Sequence, residues 1–341
     1  MVNVVNPQIQ APKIPPQGGV VVAPNNSVER FFHDADYRNI SIGSINAALH
    51  ALATITSFGS HEGGGTPWLK SINKLVDKAA FTCTRWLAPF ISYGFAAYKA
   101  FQNKEGIKCF IKLIPPVLLP LVGDANIDTV YGTSAAINQP YDLIEDRIKF
   151  LIEQHPELAA SVKEANKTFS GNFNLMWKIL QQMCKELIQG RLPKEEALFF
   201  INCVMILAGA LPIIAFARNA RDTGLAKALG LLRGAGGIIG DIGFFWFDRK
   251  NIHKLMIGGM CTVSAVGGIV KRWVKSDAIA RTLIHLSAAL DVSAYSLWNA
   301  YNDKSQEKKS KTVKPEIVQT KLAQLADTKN IIHAVTNSLA A

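Results

Sequence analysis

The chain has 341 residues, of which 49% are hydrophobic and 18% charged, with a formal net charge of +11. A soluble domain carries about 25% charged residues, so this chain is short of charge, and its excess of base favours an anionic partner. Its five cysteines (Cys83, Cys109, Cys184, Cys203 and Cys261) include no CxxC and no Cys/His set at zinc spacing, which excludes a metal site of that kind and a paired disulfide framework.

In chain order, residues 1–28 are expected to be disordered. "APKIPPQGGVVVAPNN" is rich in Pro and Gly, and no basic segment leads into an apolar one as in a cleaved secretory signal. Residues 29–134 read as a first membrane-associated helical unit. It holds two apolar stretches, "WLAPFISYGFAAY" (86–98) and "LIPPVLLPLVG" (113–123), each too short to cross a bilayer as a straight helix. Tandem Pro115 and Pro116 are expected to break the second.

Residues 135–196 change character. "YDLIEDRIKFLIEQ" puts Leu143, Ile144, Ile148, Leu151 and Ile152 on one helical face with charges opposite, and "PELAASVKEANKTF" and "LMWKILQQMCKELIQ" continue in that style. This is a polar helical insertion. A second membrane-associated unit, 197–303, opens with "ALFFINCVMILAGALPIIAFA" (197–217), which carries no charge. At 1.5 Å per residue that stretch is about 31 Å long, the thickness of a bilayer's hydrocarbon. "LGLLRGAGGIIGDIGFFWF" (229–247) is long enough to span but contains Arg233 and Asp241, which suits a bilayer interface or a hairpin dipping into one leaflet, and "LMIGGMCTVSAVGGIV" (255–270) follows as a span or a re-entrant segment. Residues 304–341 read as a basic linker, "KSQEKKSKTVK", and a C-terminal amphipathic helix.

One pattern recurs. "FFHDADYRNI" (31–40) is matched by "FFWFDRKNI" (244–252), "WLKS" (68–71) by "WVKS" (273–276) and "AFQNK" (100–104) by "AYNDK" (300–304), in the same order. The reading is an internal duplication of a helical unit.

Candidate functional residues follow from these segments. Arg218, Arg221, Lys250, Lys254, Lys271 and Arg272 flank the apolar runs and are expected at lipid headgroups. Gly230, Gly234, Gly236 and Gly240 give GxxxG spacings for close helix contact, within the chain or between copies of it. The same glycines do not make a nucleotide loop, because no strand precedes them. Asp241 and Asp248, seven apart and nearly on one face, are candidate intramembrane acids, unless Arg233 or a neighbouring base neutralises them. His285 and Asp291 are six apart and point to different faces. No spacing of Ser, His or acid suggests catalysis, and no cofactor is implied. The bases form no motif that reads nucleic acid.

The expectation is therefore an all-α, membrane-embedded bundle or set of hairpins with an internal duplication and a polar insertion. Its role would be non-enzymatic: organising or shaping an anionic phospholipid membrane, in a bacterial inner membrane or an organelle, while polar helices meet a protein partner. A small-solute channel or transporter and a soluble helical scaffold that hides 197–217 are the alternatives.

Overall fold

The structure, a computed structural model, describes residues 31, 34–60, 65–103, 105–246, 252–309 and 321–340, and all regular structure among them is helical. Helix α1 is Ala35–Gly59. Helix α2, Pro67–Thr82, runs on through π turns at Cys83–Leu87 and Phe90–Gly94 into α3, Phe95–Gln102. Pro89 lies between those π turns, where its missing N–H already breaks the ladder of i→i−4 bonds.

Helix α4, Gly106–Leu118, contains Pro115 and Pro116 rather than stopping at them. Both prolines are buried in its last turn, and the chain tightens at once into a 3-10 turn, Leu119–Leu121. Each proline forgoes its own N–H bond to the carbonyl one turn back, and burial of the two apolar rings offsets that loss.

Then come α5 (Ile127–Gln154), α6 (Leu158–Ala165), α7 (Phe169–Ile188), α8 (Lys194–Phe216) and α9 (Gly224–Trp246). The chain continues with α10 (Ile252–Val270), α11 (Asp277–Lys309) and α12 (Ala326–Ala340). The stretch expected to dip as a hairpin is one continuous helix, α9. The basic stretch expected as a linker from residue 304 begins as the end of α11, which carries it to Lys309. The N-terminal stretch expected to be disordered lies outside the described residues.

Seven segments stand in a row: α5, α8, α9, α10, α11, α1 and α2. Paired contacts make most neighbours antiparallel. Asn126, just before α5, meets Ala217 while Arg147 meets Glu196, so α5 and α8 run in opposite directions. Between α8 and α9, Gly236 abuts Met205 and Gly240 abuts Asn202. Between α9 and α10, Gly230 abuts Arg272 and Gly234 abuts Ile269. Ser57 pairs with Asn73 and Asn46 with Thr84 between α1 and α2.

Two parts of the molecule bury different things. One is an ordinary apolar core: Ile144, Ile148 and Leu151 of α5, Leu158 of α6, Leu175, Ile179 and Met183 of α7, and Ile332 and Val335 of α12. The polar insertion and the C-terminal helix thus form one unit, closed by Gln182 to Asp327 at 2.8 Å and by Arg147 between Glu186 and Glu196 at 3.1 and 2.6 Å.

The row buries polar groups beside apolar ones such as Phe200 and Ile213 of α8, and it leaves many apolar side chains outside. Helix α1 exposes Ile45, Leu52, Ile55 and Phe58 and buries Asn46, His50, Thr56 and Ser57. Helix α8 exposes a stripe of Ile201, Val204 and Leu211. Tyr37–Gly59 and Glu196–Phe216 are long and apolar enough to cross a membrane, and only 33% of each one's most apolar window is buried. The core helix of a soluble protein would be mostly covered.

Candidate functional site

The polar groups hidden in the row form three clusters. The first closes one end of it. The segment Asp124–Asn126 leads into α5, so Asn126 and Asp128 stand where α8 ends, α9 begins and α10 turns into α11. Asn126 donates through Nδ2 to the carbonyls of Ala217, Arg218 and Ala220 at 3.1, 2.9 and 3.0 Å, which pins the turn that follows α8. Its Oδ1 accepts from Arg272 at 2.6 Å.

Asp128 takes Arg233 Nη1 on Oδ2 at 2.7 Å and Lys271 Nζ on Oδ1 at 2.9 Å. Burial pushes this carboxyl up, but Arg233, Lys271 and Arg272 outweigh it and hold it below the usual carboxylate range. Burial draws Lys271 down to about 8, against the pull of Asp128. Three cations share one carboxylate here. The carbonyl ends of α8 and α10 point into the same region, and their dipoles offset part of the surplus.

These positions change the reading of the flanking bases. Lys271 and Arg272 are each 1% exposed, so their charge is held inside the protein and not offered to headgroups. Two long aliphatic stems had suggested snorkelling; the competing acceptors, Asp128 and Asn126, lie far away in sequence. Arg218 is exposed at this end, and Arg221 pairs with Asp277 at 2.7 Å. Lys250 and Asp248 lie outside the described residues, as does the side chain of Lys254 in the first turn of α10.

The four glycines of α9 face neighbouring helices of the same chain. A Cβ on Gly230 or Gly234 would strike Arg272 or Ile269 of the α10 side, and one on Gly236 or Gly240 would strike Met205 or Asn202 of α8. Contact between copies through this face would require those neighbours to leave. Gly209 of α8 completes the seam against the backbone of Leu229 and Arg233.

The second cluster holds the remaining acids. Asp241 on α9 is half-buried and close enough to Asp291 on α11 for the two to repel each other. Nearby, Ser264 of α10 donates to the Ser287 carbonyl of α11 at 3.0 Å. Arg233 does not neutralise Asp241, because it is committed to Asp128.

The third cluster was not anticipated from sequence. His50 of α1 and His285 of α11, both fully buried, face each other Nδ1 to Nδ1 at 2.9 Å. His50 Nε2 meets Thr84 Oγ1 at 2.6 Å, and His285 Nε2 meets Asp77 Oδ1 at 2.9 Å. Thr84 sits in the first π turn, where its carbonyl accepts from Tyr131 Oη at 2.9 Å. In Asp77, burial works to raise the carboxyl, but hydrogen bonds from His285 and Arg281 prevail and bring it to about 2. A usable signal existed: Asn46, His50 and Ser57 fall at helical spacing on one face of α1.

Among the described residues, no group of three or more His, Cys, Asp or Glu is arranged to hold a metal ion. No family model matches the chain, and neither a curated protein nor a solved structure is similar to it.

Proposed function

We propose that the chain is an integral membrane protein without enzymatic activity, which organises or shapes an anionic phospholipid membrane and presents its polar helical unit to a protein partner. The observation that carries this reading is the burial of α1, where Ile45, Leu52, Ile55 and Phe58 face out while Asn46, His50, Thr56 and Ser57 face in beside Ile42 and Ala53. In water that arrangement would forfeit the hydrophobic term on the outside and desolvate polar groups on the inside; in hydrocarbon both choices are favourable. Tyr37–Gly59 and Glu196–Phe216 are the segments assigned to cross the bilayer.

Two further features support it. Arg218 at the capped end offers base to anionic headgroups. On α7, Phe169, Phe173 and Trp177 form an exposed stacked ladder with ring centroids 6.4 and 6.3 Å apart, an apolar surface suited to a partner. An internal duplication belongs to the same proposal. Each copy of the repeated pattern heads a shorter helix followed by a longer helical run, α1 before residues 67–102 and α10 before α11.

A second reading is a small-solute channel or transporter, favoured by the Asp241–Asp291 pair inside the row. Reconstitution into liposomes containing anionic phospholipid separates the two. The first reading expects vesicles to be remodelled or tethered while a trapped small solute is retained. A selective flux abolished by Asp241→Asn would replace it with the second.

A further inference from the structure

The third cluster can be followed proton by proton. Asp77 is shared with Arg281, which donates to it through Nε and Nη2 at 2.5 and 2.8 Å, so its carboxylate is an acceptor only. His285 must therefore carry a proton on Nε2. With both imidazoles neutral, His285 Nδ1 is a lone pair and His50 has to donate from Nδ1. His50 Nε2 is then an acceptor, and the single hydroxyl proton of Thr84 must go to it. In that state Thr84 cannot also donate to Asn46 Oδ1 at 2.7 Å or to the Ala80 carbonyl at 3.0 Å.

Adding one proton reverses the chain. His285 becomes an imidazolium donating from Nε2 to Asp77 and from Nδ1 to His50. His50 gives up its Nδ1 proton, gains one on Nε2 and donates to Thr84, whose hydroxyl is released to Asn46 or Ala80. One proton enters and resides on His285, the bonds from His285 to His50 and from His50 to Thr84 change direction, and the Thr84 hydroxyl becomes free to donate to Asn46 or Ala80.

We propose that the His50–His285 pair is a proton-binding site at which α11 is held against the α1–α2 hairpin, with the proton on His285 and the hydrogen-bond direction relayed through His50 and Thr84 to Asn46.

The surroundings suit a proton on His285. From α2, Asp77 supplies the counter-charge, and the Phe81 ring lies 4.7 Å from the His285 ring, placing π density beside the cation. From α11 itself, Arg281 opposes a second positive charge, but it is also drawn to Asp124 at 3.5 Å. From α1 the facing groups are His50 and Asn46, and from the π turn, Thr84. Helix α10 meets the next turn of α11 with Gly267 against Ser287. The π turn displaces Thr84 from regular helical register at the one place where its hydroxyl serves a histidine, a use such turns often have. None of this depends on the membrane reading, since a soluble helical body would hold the same pair.

The test is solid-state nitrogen NMR on the full-length chain labelled at histidine, assigned with His50→Gln and His285→Gln. Between about pH 8.5 and about pH 5, the range in which imidazole titrates, His285 is expected to gain its second N–H. His50 should move its proton from Nδ1 to Nε2 with the same midpoint. Asp77→Asn should lower that midpoint by about one unit or more, the size of effect a partner carboxylate exerts. Where Asp77→Asn does not fold, Thr84→Val reads the relay from its other end and should lower the midpoint as well. A His50 tautomer that stays fixed while His285 titrates, or no change in either ring, would overturn the proposal. The spectra bear on this pair alone, whatever fractionation says about the membrane.

Discussion

Lys271 places its ammonium 2.9 Å from Asp128 Oδ1 while Arg233 holds Oδ2 of the same carboxylate at 2.7 Å. One acid thus ties together the start of α5, the middle of α9 and the end of α10. Replacing its carboxylate with a neutral amide would leave Arg233, Lys271 and Arg272 together without that counter-charge. Asp128→Asn is expected to destabilise the fold by about 3–5 kcal/mol, the cost typical of breaking a buried pair from one side. Thermal unfolding of the purified chain checks this against Asp222→Asn, a change at an exposed position expected to do little.

The glycine seam makes a graded prediction. A Cβ at Gly209 would sit 2.6 Å from the Leu229 carbonyl oxygen and 2.8 Å from the Arg233 nitrogen, both backbone atoms that cannot step aside. Gly209→Ala should cost about 1–3 kcal/mol by overpacking. Gly259→Ala on α10 meets nothing within 4 Å and should gain a few tenths to about 1 kcal/mol from helix propensity. Equal effects at the two sites would refute the close approach of α8 to α9.

Asp77 gives a pH dependence whose sign can be worked out. Its carboxyl is brought from 3.8 to about 2 in the folded chain. A lowered acid pKa means the unfolded chain binds the proton first, so the stabilisation is complete above the unfolded value and fades as pH falls from about 4 towards about 2. Asp77→Asn should flatten that acid limb. Melting temperatures across the acid range, compared between the two proteins, decide it.

The C-terminal helix offers a prediction about the polar unit. Ile332 is 1% exposed and packs with Leu158 and Leu175 in the apolar core. Ile332→Ala should destabilise that unit by about 2–5 kcal/mol, as large-to-small changes in a core do. Protease resistance of residues 141–188 should fall in parallel. Unchanged resistance would mean that α12 adds nothing to the unit on which it is docked.

What the sequence made legible was periodic and local. The uncharged run at 197–217 and the amphipathic stripe at 143–152 sit where α8 and the second half of α5 do, because a helix's faces are written at a spacing of three and four residues. Pro115 and Pro116 misled, since each removes only its own N–H bond and the burial of its ring, which local sequence does not show, can offset that. The clusters were hidden for another reason. Asp128 is joined to Arg233 and Lys271, and His50 to His285, by packing of helices far apart in the chain. No periodicity records which buried base will find which acid. Lys271 and Arg272 therefore looked like headgroup ligands until the start of α5 was seen beside them.

The measurement that bears most directly on the central claim is fractionation of the expressed full-length chain, with membranes washed first in alkaline carbonate and then in detergent. The outward apolar faces of α1 and α8 predict release by detergent only. Release by carbonate, or a monodisperse protein in detergent-free buffer, would contradict the membrane assignment and return those faces to the inside of a soluble assembly.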